Sequence, residues 1–467
     1  MTEGKRKLKM PHIYVLLFFL AALAALASYI IPAGSFERIQ GPNGREMIDP
    51  ETFQFIEQSP VSLMEFLTVF PRGLIAAAEV IFFVLIIGGL FRVFLKTGII
   101  EIAVDKLTRK FANKSVLLIP VLMVVFSSVA TVIGVPELSL VYIPVLLPLL
   151  IALGYDSIVA AAVALLGTGV GFTVGVLNPI NTGLGQRVSG IPVFSGMEYR
   201  FIVFVVALVI AILYIVRYAR KIQSDPLRSF VYEDDTEKRK LYQDEKKVGD
   251  EKHLTGRQKI ALAVALLFFI VLIYGVIGHG WFMQEMSGLF IFMGFTVGMI
   301  AGLSVLQICQ GFNEGFRDVL EGALIVGVAR AISVALEDGL IIDTIVYSLG
   351  NVVSTLPPVI GAVGMYFVQM LLSFIIPSGS GQALVTMPIM APLADMIGST
   401  RQIAVFAYQL GDGFANLIFP TSGYFMASLA IAGVPYQKWL RFYFPLFLVF
   451  VTLAVVAITF AQMIQWS

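Results

Sequence analysis

The sequence predicts an all-α polytopic membrane protein built from two inverted repeats, with about nine transmembrane helices and two re-entrant hairpins. Of its 467 residues, 58% are hydrophobic and 13% are charged, whereas about a quarter of the residues in a soluble protein are charged. The apolar residues form long runs, such as 13–31 and 260–277, that contain no charged residue. Runs of about 18 apolar residues are long enough to cross a bilayer.

Full-length crossings are predicted for nine apolar segments. These are residues 12–31, 73–95, 157–180, 200–217, 258–277, 285–308, 320–336, 401–430 and 440–464. Two further stretches, 115–153 and 358–398, are interrupted near the middle, by the sequence GVP at 134–136 and by PSGSG at 377–381. Non-helical backbone at membrane depth is tolerated only inside protein or beside water. Each stretch is therefore predicted to be a re-entrant hairpin.

The distribution of basic residues predicts the orientation of the chain in a cytoplasmic (inner) membrane. Lys5, Arg6, Lys7 and Lys9 place the N-terminus in the cytoplasm. Basic residues are frequent in 96–114 and in 217–259, which fall inside, and absent from 337–357, which falls outside. Nine crossings satisfy these observations and place the C-terminus outside. Residues 221–257 are predicted to be a solvated cytoplasmic linker.

Charge, cysteine content and missing motifs exclude other classes of protein. The formal net charge of +1 gives no reason to expect a nucleic-acid partner. Cys309 is the single cysteine, so no disulfide can form within the chain, and the three scattered histidines predict no metal cluster. The chain has neither a G-x-x-x-x-G-K-[ST] phosphate loop nor an H-E-x-x-H motif. A primary pump and an enzyme are therefore disfavoured, and no cofactor is expected beyond coupling to Na⁺ or H⁺.

The two halves of the chain share prolines and glycines at a constant offset of 244 residues. Residues Pro144, Pro148, Gly154, Leu166, Gly167 and Gly169 match Pro388, Pro392, Gly398, Leu410, Gly411 and Gly413. Such matches are informative because each proline or glycine changes backbone geometry. In the predicted topology the hairpins open to opposite sides, so the repeats are inverted. We predict a first repeat at 1–220 and a linking helix plus second repeat at 258–467. Glu79 and Glu321, which are 242 residues apart, form a further pair with an expected structural role.

Interrupted helices of inverted repeats meet near mid-membrane and form the solute site of secondary transporters. Freed carbonyls suit a cation, and freed amides at helix N-termini suit a carboxylate. The residues predicted to bind substrate are Asn178, Pro179, Asn181, Thr182, Ser378, Gly379, Ser380, Gln382, Asn416, Thr421 and Ser422. The residues predicted to bind a coupling ion or a substrate amine are Ser127, Ser128, Thr131, Glu137 and Asp412. The structural alternative is that these hydroxyls bond neighbouring backbone and these glycines permit close packing.

Two acids have several roles open to them, because a charge inside a membrane is costly and is functional by default. Asp412 lies inside a predicted helix break, and Glu137 lies beside the first hairpin tip. Each could bind Na⁺, carry a proton or pair with a substrate amine. The structural alternative is an ion pair with Arg330 or Arg187.

The segment 29–38, YIIPAGSFER, resembles the IPAG-x-[FY] motif of the DcuC/YfcC family of C4-dicarboxylate and basic amino acid carriers. Segments 167–183, 377–382 and 411–416 resemble the same family, so the resemblance covers nearly the whole chain. It implies membership of the ion transporter superfamily, with a scaffold, an elevator-like transport part and often a homodimer. Neither hairpin tip carries the Ser-Asn-Thr motif of related dicarboxylate carriers, and Glu137 and Asp412 favour a substrate with an amine.

These observations predict a secondary active carrier or exchanger of a small carboxylate-bearing solute. An amino acid, in particular a basic one, is the leading expectation, and a C4-dicarboxylate moved with Na⁺ or H⁺ is the alternative. The expected partners are this small organic acid or amino acid, the lipid bilayer and a second copy of the chain. A membrane-embedded enzyme or a channel is a remote alternative, since two inverted hairpins favour alternating closure over an open pore.

Overall fold

The protein is largely α-helical in residues 13–42, 46–100, 102, 106, 115–243 and 254–467, which the computed structural model describes. The helices of these residues are α1 (Ile13–Ala27), α2 (Leu63–Ala76), α3 (Ala78–Lys96), α4 (Ser115–Ile133), α5 (Leu138–Ala152), α6 (Ser157–Val174), α7 (Thr182–Val188), α8 (Met197–Ser224), α9 (Thr236–Gln243), α10 (Gly256–His279), α11 (Met283–Ala301), α12 (Val305–Asp338), α13 (Ile342–Ser354), α14 (Pro358–Ile375), α15 (Gly379–Met396), α16 (Arg401–Ala415), α17 (Gly423–Ala432) and α18 (Tyr436–Met463). Lys5, Arg6, Lys7 and Lys9, which predict the orientation of the N-terminus, lie outside the described residues.

Nine helices of the described segments are long and apolar enough to cross a membrane, so the protein is a polytopic all-α membrane protein, as predicted. They are α3, α4, α6, α8, α10, α11, α12, α14 and α18. The number equals the predicted one, but α4 and α14 take the places of the crossings predicted at 12–31 and 401–430. The helix in the first of these segments, α1, has only 15 residues, and the second is divided into α16 and α17.

Each of the two interrupted stretches forms a hairpin of two helices joined by a short turn. Hairpin one consists of α4 and α5 with a turn at 134–137, and hairpin two consists of α14 and α15 with a turn at 376–378. The crossing predicted at 285–308 corresponds to α11 but ends earlier than predicted, because the chain turns at Gly302 (φ +103°), a conformation that favours glycine. Ser304 then starts α12 by accepting a hydrogen bond from the Gln307 amide at 3.3 Å. The crossing predicted at 320–336 is the second half of this 34-residue helix.

The helix break predicted at 412–416 and 420–423 begins later than predicted, because α16 continues through Ala415 and the chain leaves the helix at 416–422. The two glycines that suggested the break permit close packing instead. A β-carbon added to Gly413 would lie 2.3 Å from the Thr173 hydroxyl on α6, and one added to Gly411 would lie 2.8 Å from the Tyr366 carbonyl on α14. Asp412 is therefore held in regular helix.

The helices pack in two groups. The α12 group comprises α1, α2, α3, α10, α11 and α12, in which α12 contacts α1, α2 and α3, while α11 contacts α3 and α10. The hairpin group comprises hairpin one, α6, α8, hairpin two, α16 and α18. The short helix α17 contacts α12 and α3 on one side and α5 and α6 on the other. The interface between the groups therefore runs along α17.

Two polar segments fold onto these groups. Between α1 and α2, strand β1 (Gly34–Ser35) pairs antiparallel with β4 (Gln54–Phe55), and β2 (Arg38–Gln40) pairs antiparallel with β3 (Glu46–Ile48). The prediction that the linker is solvated is wrong for its first half. The described residues up to Gln243 include helix α9 and the buried carboxylate of Asp235. Asp235 accepts a hydrogen bond from the Ser157 amide at 2.7 Å, which joins the linker to the start of α6.

Candidate functional site

The tips of the two hairpins are formed by residues that stop one helix and start the next. In hairpin one, Gly134 adopts φ +75° and Pro136 precedes the start of α5. In hairpin two, Ser378 is extended and its hydroxyl accepts a hydrogen bond from the Gly381 amide at 3.3 Å. Ser378 therefore caps the N-terminus of α15, whose free amides point toward the tip.

The helices that follow the hairpins are interrupted at matching places. Helix α6 ends at Val174, and Gly175 leaves it in the left-handed region (φ +58°). The Asn178 side-chain oxygen then accepts hydrogen bonds from the amides of Ile180 (3.0 Å) and Asn181 (2.9 Å), which fixes the turn. In the second half the chain leaves α16 at Asn416 and re-enters a helix at α17.

All four interruptions border one cavity of about 250 Å³. It lies between the α12 group and the hairpin group, at the start of α3 and α17. Its lining residues are Glu79, Val80, Gly134, Val135, Pro136, Glu137, Phe172, Ile180, Asn181, Phe282, Met283, Pro377, Ser378, Gly379, Ser380, Asn416 and Tyr424. A volume of this order matches a small organic solute.

Asp412 lies directly behind the tip of hairpin two and is fully buried. One carboxylate oxygen accepts hydrogen bonds from the Ser373 hydroxyl (3.2 Å) and the Asn416 amide group (2.9 Å). The other oxygen has no hydrogen-bond partner among the described residues. A β-carbon added to Gly379 would lie 2.7 Å from that oxygen, so the unpartnered oxygen faces the hairpin tip.

Comparisons with known proteins agree on one family. The family model for DcuC, described as a C4-dicarboxylate anaerobic carrier, matches residues 10–463. A protein of Escherichia coli K12, YfcC, described as a candidate basic amino acid antiporter, is 32% identical, with 94% of each chain covered. The chain belongs to the DcuC family. The resemblance stated from the sequence is thereby confirmed, and the protein is a member of a transporter family.

Two further similarities accompany this membership of the DcuC family. A Haemophilus influenzae protein without an assigned function is 28% identical, with 95% of each chain covered. The solved structure of Neisseria gonorrhoeae MtrF, described as one of a class of antimetabolite efflux pumps, matches 97% of this chain and 95% of its own, with 15% identity and a TM-score of 0.41.

In this DcuC-family chain, six predicted site residues line the cavity. They are Glu137, Asn181, Ser378, Gly379, Ser380 and Asn416. They come from all four interruptions, and even the nearest two from different halves, Asn181 and Ser378, are 197 residues apart in sequence. Their role in binding remains a prediction, but their convergence is what such a role requires.

The other predicted residues lie outside the cavity lining. They are Ser127, Ser128, Thr131, Asn178, Pro179, Thr182, Gln382, Asp412, Thr421 and Ser422. Several of them make the local bonds of the structural alternative. The Thr131 hydroxyl donates to the Gly171 carbonyl at 3.1 Å, and the Gln382 amide group donates to the Gln369 side-chain oxygen at 2.7 Å.

Two lining residues of the DcuC-family cavity that carry polar side chains were not predicted as site residues. Glu79 was expected to be structural, and Tyr424 was not singled out, yet both border the cavity beside Glu137. The buried Tyr424 hydroxyl has no hydrogen-bond partner among the described residues. The 242-residue spacing between Glu79 and Glu321 was the one sequence signal that set Glu79 apart.

The cavity lining is acidic in composition. Its lining includes the acids Glu79 and Glu137 and no lysine, arginine or histidine among the described residues. One proposed partner, Arg330, pairs instead with Glu337 at 3.3 Å. A cationic group entering this cavity would therefore find carboxylates that no protein cation in the lining neutralises.

Proposed function

We propose that this protein is a secondary active carrier or exchanger of a basic amino acid. The observation that carries the proposal is the pair of carboxylates, Glu79 and Glu137, in a cavity without a basic lining residue. Glu137 is half-buried, whereas Glu79 is exposed at the cavity, and a partly buried charge is stabilised by a partner of opposite sign. A solute that brings its own cationic group supplies that partner, whereas a dicarboxylate would add two more negative charges.

The opposite end of such a solute is a carboxylate, and hairpin two supports its binding. Ser378 begins α15, an 18-residue helix, so its first amides and the partial positive charge of its N-terminus lie beside the cavity. The Ser380 hydroxyl and the Asn181 amide group add neutral donors at the lining. The lining thus offers helix-terminal amides and neutral donors for a carboxylate, together with carboxylates for a cation.

We infer that Asp412 is the coupling residue. It is buried behind the Gly379 tip, has one unpartnered oxygen and lies in the hairpin group. These features suit a carboxyl group that exchanges a proton or Na⁺ during the transport cycle.

The transport mechanism that fits these features is alternating access by an elevator-like movement of the hairpin group against the α12 group. The shared prolines and glycines of the two halves support inverted repeats, at 1–220 and 258–467, on either side of a cytoplasmic linker. We propose an inner-membrane location, a cytoplasmic N-terminus, an external C-terminus and a homodimer formed through the α12 group.

A C4-dicarboxylate moved with Na⁺ or H⁺ is the second candidate, because the description of the matching family model favours it. A thermal-shift screen of the purified protein separates the two. We expect lysine and arginine to raise the melting temperature, because a ligand that binds the native state stabilises it. Norleucine, which matches lysine in shape but lacks the side-chain amine, is the control and should have little effect.

The dicarboxylates succinate and fumarate complete the screen, each with and without Na⁺. Stabilisation by these compounds and not by lysine would reverse the assignment. Counterflow into proteoliposomes preloaded with the stabilising compound then tests transport itself, since preloading accelerates uptake by a carrier and not by a channel.

A further inference from the structure

The central helices of the α12 group, α3 and α12, form a close antiparallel pair. A β-carbon added to Gly315 would lie 2.2 Å from the Gly88 carbonyl, and one added to Gly73 would lie 2.6 Å from the Gly327 carbonyl. Gly88 is on α3 and Gly73 is on α2, so these contacts run along α12 on either side of the junction between α2 and α3. Close backbone approach of this kind fixes two membrane helices relative to each other.

Two acids, Glu79 in the first turn of α3 and Glu321 near the middle of α12, lie between these two glycine contacts. They occupy matching positions of the two halves, 242 residues apart. From the register of the glycine contacts, Glu79 and Glu321 lie at nearly the same level on adjacent helices.

The two acids border different cavities. Glu79 borders the cavity at the hairpin tips, where the buried, unpartnered hydroxyl of Tyr424 also lies. Glu321 borders a second cavity of about 420 Å³, together with Asp318, Gly433 and Tyr436. Helix α17 spans the two, because Tyr424 is in its first turn, whereas Ala430 near its end packs on Gly322, next to Glu321.

We propose that Glu79 and Glu321 alternate as the stationary acid that receives the cationic end of the solute, one in each end state of the transport cycle. This inference rests on the proposed function. If the halves are inverted repeats, exchanging their conformations gives the opposite end state, in which Glu321 occupies the place that Glu79 has here.

The arrangement has a physical consequence for transport. Glu137 and Asp412 belong to the hairpin group and travel with the solute, whereas Glu79 and Glu321 stay with α12 and α3. At each face a stationary carboxylate adds to the attraction for the cation, and the cation leaves it when the hairpin group moves. Each acid should therefore affect the apparent affinity at one face of the membrane.

The test compares Glu79→Gln and Glu321→Gln in right-side-out and inverted membrane vesicles. We expect each variant to raise the KM for lysine about tenfold at one face and to change it little at the other, with the affected face opposite in the two variants. Glu79→Asp and Glu321→Asp should restore most of the affinity. Asp318→Asn is the matched control, because Asp318 borders the same cavity as Glu321 but lies 3.8 Å from Arg92.

The inference is overturned if both glutamine variants act at the same face, if they act equally at both, or if Glu321→Gln matches the unchanged protein. Failure of the unchanged protein to move lysine would instead overturn the proposed function. A second measurement does not depend on kinetics. In a Cys309→Ala background, Val135→Cys should cross-link with Glu79→Cys and, in the opposite end state, with Glu321→Cys. Cross-linking to position 79 alone would also count against the inference.

Discussion

Gly379 is the residue at which hairpin two meets the first half of the site. A β-carbon added there would lie 2.1 Å from the Asn181 side-chain nitrogen and 2.7 Å from the free oxygen of Asp412. Both neighbours are buried, so neither side chain can move aside easily. Because glycine has no side chain at this position, the N-terminus of α15 can pack directly against Asn181 and Asp412.

The first prediction is that Gly379→Ala abolishes the ligand-induced thermal shift and lowers transport about a hundredfold, because displacing a site by about 1 Å has an effect of this size. Gly381→Ala is the matched control in the same helical turn. Its added carbon would lie 3.2 Å from the Ser378 hydroxyl, so transport should fall by no more than about threefold. Equal activity of the two variants would remove Gly379 from the site.

At the residue level, the sequence predicted the cavity-lining polar residues that lie next to a helix break. Glu137, Asn181 and Asn416 were found because each adjoins a proline or glycine interruption. Asn178 also adjoins such an interruption, but its side-chain oxygen accepts hydrogen bonds from amides of the turn. Only the structure shows that Asn181 lines the cavity and Asn178 does not. Glu79 adjoins no predicted break, since its place at the cavity depends on how α3 packs against the hairpins.

The linker helix α9 and the residue before it use charged side chains to pack the linker against the membrane helices. Lys238 at its start donates to the Gly433 carbonyl at 3.0 Å, while Asp235, just before it, joins the start of α6. Next to this contact, Asp156 caps α6 by accepting from the Val159 amide, and it also accepts from the hydroxyls of Tyr218 and Ser229 at 2.7 Å. The linker thus ties the α6 start to the loop after α17.

The second prediction concerns the pH dependence of this contact. Burial raises the pKa of Asp156 from 3.8 to about 6, although its hydrogen bonds oppose the shift. Between about pH 4 and pH 6 only the folded state holds the proton, so the stability present at low pH declines as the pH rises, by about 2–3 kcal/mol in total. Asp156→Asn keeps a capping oxygen and should flatten the profile of melting temperature against pH.

The profiles of the two proteins should therefore separate across this interval and run parallel above it. Parallel profiles throughout would show that Asp156 does not titrate there.

Element boundaries were predicted well where a strong stop signal coincides with the end of an apolar run, as at the tips of both hairpins. They failed where glycine serves packing. The sequence Gly411-Asp412-Gly413 alone suggests a helix break, yet in the structure these glycines let α16 pack closely against α14 and α6. The folded start of the linker was missed for a related reason, because a run of mixed charges does not reveal which carboxylate becomes buried.

At the scale of the whole molecule, the cavity lies where two packed groups meet, and α17 is the helix that contacts both. Its closest approach to the α12 group is at Gly322, where an added β-carbon would lie 1.7 Å from the Ala430 methyl carbon. Gly423, at the other end of α17, packs against Val326 at 3.1 Å by the same measure. Small residues thus keep this interface close, and the proposed movement between the two groups would have to act across it.

The last prediction is that Gly322→Ala slows exchange about tenfold, because overfilling a close contact costs on the order of 1–3 kcal/mol and here opposes movement between the groups. Ligand-induced thermal stabilisation should persist, since Gly322 does not line the hairpin cavity. Ala430→Gly removes the methyl group that the new side chain meets, so the double variant should recover most of the lost rate. Recovery requires that the interface, and not a general loss of folding, limits exchange. A double variant as slow as Gly322→Ala would therefore mean that α12 and α17 do not move against each other during transport.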